Sequence, residues 1–220
     1  MNGVYPSPPE AAMLISIAIL LACCLTGGLT GLAYLGAREK HRLLHRGTLP
    51  VATGWMLCFL VTGSLCFMAG YPAPVDVLVL SLLSVACCIT DSLRCWIPHA
   101  FTLPGLLAGL LWQFLVMDSP WWLPVTGMAS ATLPFLLLRI GHYLCGIRGE
   151  HLYPGSGDIV LMATFGVWLG PAAALIIQFA GLLLFMFWLL ITRRTVGPLG
   201  PFLCLSAGAS MLMHAVYPFF

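Results

Sequence analysis

Charge is the scarcest commodity in this sequence. Only 7% of its 220 residues are Asp, Glu, Lys or Arg, against roughly a quarter in a soluble domain, so an ordinary soluble globule is excluded. The formal net charge of +2 is small and no basic tract is interleaved with aromatics, which argues against a nucleic-acid partner. Met1 to Ala12 holds Glu10 and three prolines but no Lys or Arg. The basic start of a cleavable signal peptide is therefore missing, and the first apolar helix is expected to be retained. There are nine cysteines but no Cys-x-x-Cys, and Cys23/Cys24 and Cys87/Cys88 are adjacent pairs inside apolar runs. That pattern suits buried thiols acting as small hydrophobes, not a zinc site or a disulfide framework. Internal repeats and low-complexity linkers are also lacking.

What is present is apolar surface. Hydrophobic residues make up 60% of the chain, in runs of about 17 to 25 residues, the length a helix needs to cross a bilayer. Isolated strands would leave backbone groups unpaired in lipid, so the fold class is an all-α polytopic membrane bundle. Eight segments are expected, at 11–35, 51–70, 75–90, 98–117, 121–142, 158–170, 171–192 and 201–219, with seven as the alternative, in a single membrane-embedded domain spanning 1–220.

Orientation follows from the cations. Loop 36–50 holds Arg38, Lys40, Arg42 and Arg46, and the positive-inside rule places it in the cytoplasm with the N-terminus outside. The stretch from Asp158 to Thr192 could be one very long helix or two joined at Gly170-Pro171. One helix would throw Arg193 and Arg194 outside, whereas a hairpin keeps all nine Lys and Arg residues in the cytoplasm. The limb before Gly170 is then about 13 residues, roughly 20 Å of helix, and needs shielding by its neighbours. Pro98, Pro171 and Pro201 are placed to start helices.

The seven acidic residues can be weighed singly. Glu10 lies in the N-terminal tail, Glu39 in the basic loop, and Asp76 and Asp118 at external helix ends, where they read as solvated or capping groups. Glu150 lies in the loop before Gly155. Asp91 closes one apolar segment and Asp158 opens another, both on the cytoplasmic side, so the topology sets the two carboxyls at one membrane depth. Two carboxyls in a weakly hydrated site do not both ionise easily. One can then take a proton from water while the other polarises a carbonyl, which is what peptide hydrolysis requires. The plainer alternative is that Asp158 caps a helix and Asp91 pairs with Arg94.

Three blocks resemble the type IV prepilin peptidases, polytopic GxGD aspartyl proteases related to the archaeal preflagellin peptidases. The first runs from Thr90-Asp91 through Arg94, Ile97-Pro98 and Leu103-Pro104. The second is Gly155-Ser156-Gly157-Asp158 with Gly166-Val167-Trp168 after it, and the third is Gly197-Pro198-Leu199-Gly200-Pro201-Phe202-Leu203. They occur in the family's order and define a family-like catalytic core at 86–203.

The resemblance implies an aspartic endopeptidase with Asp91 and Asp158 as catalytic carboxylates. Gly155, Gly157, Pro98 and Glu150 are candidates for shaping the site or meeting substrate, the glycines by adopting unusual backbone conformations and leaving room for a substrate strand. Substrates would be prepilins or pseudopilins, cut between a basic leader and an apolar helix at the cytoplasmic face of the bacterial inner membrane. His99 stands where the family usually has Asn or Asp, and reads as a capping or hydrogen-bonding residue. Val160 stands where Lys often follows the GxGD. Long members carry a zinc-binding Cys-x-x-Cys domain, linked with methylation, where this chain has only loop 36–50. Cleavage without methyl transfer, metal or cofactor is therefore expected. Self-association into a homo-oligomer is left open. Two rivals remain at this point: a channel, carrier or pilus-assembly subunit with a structural aspartate pair, and a protease of some other membrane helix.

Overall fold

The computed structural model describes residues 8–38, 48–145 and 154–217. Among them there are seven helices and no strand: α1 (Pro8–Arg38), α2 (Thr48–Met68), α3 (Pro74–Arg94), α4 (His99–Leu115), α5 (Trp122–Leu144), α6 (Ser156–Thr192) and α7 (Gly200–Val216). Five are long and apolar enough to cross a membrane, while α4 and α7 are shorter apolar helices. Together with the exposed leucines, isoleucines and phenylalanines along α1, α5 and the second half of α6, this makes the chain a multi-pass membrane protein, because only lipid tolerates such a surface. Glu150 and most of the basic loop 36–50 lie outside the described residues.

The sixth helix is one element with a break. Gly170 has φ 83 and ψ 176, a backbone state open in practice to glycine alone, and Pro171 follows with no N–H to donate. The break reverses the chain. Ala131 of α5 accepts a hydrogen bond on its carbonyl from Gln178 Nε2 at 3.2 Å, and its Cβ lies 2.9 Å from the position a Cβ on Gly166 would take. Twelve residues of straight helix would separate 166 from 178 by roughly 18 Å, so one alanine can touch both only if the limbs run side by side. Arg194 ends up close enough for its charge to act on Cys95, beside Arg94. The hairpin expected from charge parity is thus the arrangement found, and it resolves seven helices into eight limbs.

Burial singles out two of those limbs. Helix α3 is flanked by α1, α2, α4, α6 and α7, and the residues from Ser84 to Asp91 are all buried. The first limb of α6 is buried continuously from Leu161 to Trp168, which supplies the shielding its short length demands. It is tied to α4 by Thr164 Oγ1 donating to the Thr102 carbonyl at 3.2 Å and by Trp168 Nε1 donating to the Gly105 carbonyl at 3.0 Å. The large exposed apolar side chains lie mainly on α1, α2, α4, α5 and the second limb of α6, which suits a lipid-facing wall.

One expectation is overturned. Asp76, read as solvated or capping, is only 6% exposed. It makes no side-chain cap to the start of α3, and its Oδ1 is buried with no partner among the described residues. Pro74 at the start of α3 is exposed, but Asp76 and Val77 are covered by protein.

Candidate active site

Asp91 lies in the last turn of α3. The helix ends when Cys95 turns left-handed at φ 52 and ψ 41 and donates its N–H to the Asp91 carbonyl at 2.7 Å. The Asp91 side chain is 4% exposed, and its Oδ2 accepts the backbone N–H of Gly200 at 2.8 Å. The first residue of α7 thereby holds a carboxylate 109 positions earlier in the chain. The adjacent residue, Ser92, receives a hydrogen bond on Oγ from Trp55 Nε1 of α2 at 3.0 Å. Arg94 is exposed at the helix end.

Asp158 lies in the first turn of α6 and is 8% exposed. Its Oδ2 accepts the N–H of Gly155, the N-cap, at 2.9 Å. This is the reverse half of a capping box, the half a glycine N-cap permits, so the capping reading of Asp158 describes its ground-state hydrogen bond correctly. Pro98 is the N-cap of α4 and buried.

Ile97 joins the two carboxylate turns. A Cβ on Gly157 would lie 2.5 Å from the Ile97 carbonyl oxygen, and one on Gly200 would lie 2.6 Å from Ile97 Cδ1 and 2.9 Å from Asp91 Oδ2. Ile97, itself 3% exposed, therefore wedges between the start of α6 and the start of α7. Asp91 and Asp158 come within reach of each other's charge across this wedge.

Neither glycine of the GxGD block needs the unusual backbone conformation expected of it. Gly155 is extended at φ −68 and ψ 161, open to any residue, and neither it nor Gly157 is among the positive-φ glycines. Closeness explains Gly157: the space its missing Cβ leaves is filled by Ile97 and not held open.

Sequence reasoning did not single out Ile97, Gly200, Ser156 or the Trp55–Ser92 pair. Ile97 and Gly200 sat inside blocks already quoted, and each has motif neighbours that could have marked it. Trp55 carried no signal, since its partner is 37 positions away. Among the described residues no group of three or more His, Cys, Asp or Glu side chains is arranged to hold a metal ion.

Comparison with known proteins bears directly on this site. A family model described as the type IV leader peptidase family matches residues 78–219, more than half of the chain. The chain is 34% identical over 155 residues to an Escherichia coli O78:H11 (strain H10407 / ETEC) protein named type 4 prepilin-like proteins leader peptide-processing enzyme, covering 64% of this chain and 52% of that one. It is 31% identical over 127 residues to a Klebsiella pneumoniae protein named prepilin leader peptidase/N-methyltransferase, covering 55% of this chain and 54% of that one. The chain spans about half the length of both relatives. No solved structure matches it. The matched span contains both carboxylates, the Ile97 wedge and the Gly200 amide that holds Asp91, and on that match the chain belongs to the type IV leader peptidase family.

Proposed function

We propose that this protein is an aspartic endopeptidase that removes the basic leader of type IV prepilins or pseudopilins, with Asp91 and Asp158 as its catalytic pair. The observation that carries the proposal is the convergence of the two aspartates on Ile97 from the two most buried limbs of the bundle, inside the family-matched span.

The chemistry fits the arrangement. One carboxylate, ionised, takes a proton from a water molecule as the water oxygen bonds to the scissile carbonyl carbon. The other, protonated, donates to the developing oxyanion, and the carbon–nitrogen bond breaks as the amine leaves with a proton. Two carboxyls in one weakly hydrated site favour this shared single proton. Asp91 lies one turn from the exposed end of α3, beside Arg94. By the positive-inside rule that end faces the cytoplasm of a bacterial inner membrane, where a substrate's basic leader meets its apolar helix. Cleavage proceeds here without N-methylation, a reading supported by the absence of any Cys-x-x-Cys pair from the sequence.

The test is incubation of detergent-solubilised protein with a candidate prepilin, the products located by mass spectrometry. Cleavage at the leader boundary is expected, reduced at least about 100-fold in Asp91→Asn and in Asp158→Asn, with both variants accumulating in the membrane at wild-type level. Full processing by either variant overturns the catalytic assignment. Failure of the wild-type protein to cut any prepilin favours the structural reading of the aspartate pair.

A further inference from the structure

We propose that His99 is a positioning residue for Asp158, acting through Ser156. The inference rests on the peptidase reading above, since it assigns His99 a part in that same site.

Each residue of the turn before Asp158 has its own tether. Gly155 donates its N–H to Asp158 Oδ2 at 2.9 Å. Gly157 is pressed against the carbonyl of Ile97. Between them, Ser156 Oγ meets His99 Nε2 at 3.2 Å, and this contact is the turn's side-chain link to another helix. Ile97 and His99 flank Pro98, so the segment that starts α4 runs alongside the segment that starts α6 and grips it at two neighbouring points. Pro98 fixes φ in the middle of that segment and stiffens it.

The imidazole is not placed there for bulk. Its Nδ1 is buried without a partner among the described residues, and burying an unpaired ring nitrogen carries a cost that an apolar ring would not incur. The Ser156 hydrogen bond gives the other ring nitrogen, Nε2, a polar partner that a phenyl ring could not use. Either tautomer serves, because Nε2–H can donate to Oγ or Oγ–H can donate to Nε2. Ser156 is exposed and begins a helix, so without the clasp the packing of Gly157 against Ile97 would be the turn's remaining tertiary hold among the described residues. An aspartate that must meet a scissile bond and a partner carboxylate loses rate from a small misplacement.

The experiment compares His99→Phe, His99→Gln, Ser156→Ala and the double variant His99→Phe/Ser156→Ala with wild type and Asp158→Asn in prepilin cleavage. Phe keeps the volume and removes the hydrogen bond. Gln keeps a nitrogen near the place of Nε2. His99→Phe and Ser156→Ala are each expected to lower kcat about tenfold with KM within about twofold. The double variant should be no worse than either single, and His99→Gln should recover most of the rate. Multiplying single effects, a rise in KM in place of a fall in kcat, or wild-type kcat in a folded His99→Phe overturns the proposal.

Wild-type protein that cuts no prepilin defeats the peptidase reading, and the clasp is then decided by amide hydrogen exchange at Gly155. Exchange is expected to be faster in His99→Phe and in Ser156→Ala than in wild type, and unchanged exchange in both overturns the clasp.

Discussion

Ile97 determines what its neighbours can be. It touches the missing side chains of Gly157 and Gly200 with different atoms, and that difference has a consequence. Against Gly157 it presents its backbone carbonyl, which cannot swing aside, whereas against Gly200 it presents Cδ1, the far end of a flexible chain. Gly157→Ala is therefore expected to destabilise the protein by about 1–3 kcal/mol or more, and Ile97→Val should not relieve it. Gly200→Ala should cost less in stability but more in activity than in folding, because its new methyl also presses on Asp91 Oδ2, 2.9 Å away; Ile97→Val should restore part of the loss. Thermal unfolding in detergent, alongside prepilin cleavage, separates the two. Equal behaviour of the two alanine variants with and without Ile97→Val would show that the wedge does not act as described. At this scale the sequence marked Gly157 for a different reason from the one the structure gives. A GxGD signature marks Gly157, but not whether backbone conformation or a neighbour 60 positions earlier in the chain forbids a side chain there, since the neighbour is set by tertiary packing.

At the scale of elements, the legible part was whatever the membrane dictates. The hairpin at Gly170-Pro171 followed from keeping Arg193 and Arg194 on the side of the other cations, and the same parity set the two aspartates at one end of the bundle, where they come within reach of each other's charge. Burial within a helix was not legible. Helix α3 reads as one more apolar span, yet it carries buried Ser81, Ser84, Thr90, Asp91 and Asp76, and nothing in its composition says that five neighbouring helices will cover it where lipid could have done so. Asp76 was misjudged for that reason, as a helix end drawn from hydropathy has no surroundings. The break in α6 also makes a definite prediction. Gly170→Ala places a Cβ at φ 83, ψ 176 and is expected to cost about 1–3 kcal/mol, although nothing crowds the space around it. Pro171→Ala, whose backbone is ordinary helix, should cost less. A lower melting temperature for Gly170→Ala than for Pro171→Ala is the expected order, and the reverse order would mean that the proline, not the glycine, makes the reversal.

For the whole molecule, orientation ties the site to the proposed substrate, and the cysteines can report it. Cys95 follows α3 and Cys145 follows α5, and both are exposed, whereas Cys24, Cys66, Cys87, Cys88 and Cys204 are buried and Cys23 and Cys58 lie within apolar helices. Cys95 and Cys145 both sit at ends that the charge bias assigns to the cytoplasm. A membrane-impermeant maleimide should therefore label the protein in inside-out vesicles and leave it unlabelled in right-side-out ones. Cys95→Ser and Cys145→Ser should each remove part of the signal, and the double variant nearly all of it. The thiolate is the reacting form. Partial burial and the Asp91 carboxylate push the Cys95 thiol up, with Arg194 pulling the other way, so its share of the labelling should grow as pH rises. Because Cys95 is four residues from Asp91, the side from which it labels is the side on which the aspartate turn meets water. Labelling from the outer face would set the dyad at the wrong end of the bilayer for a basic leader held in the cytoplasm, and the substrate assignment would fall with it while the fold and the family stood.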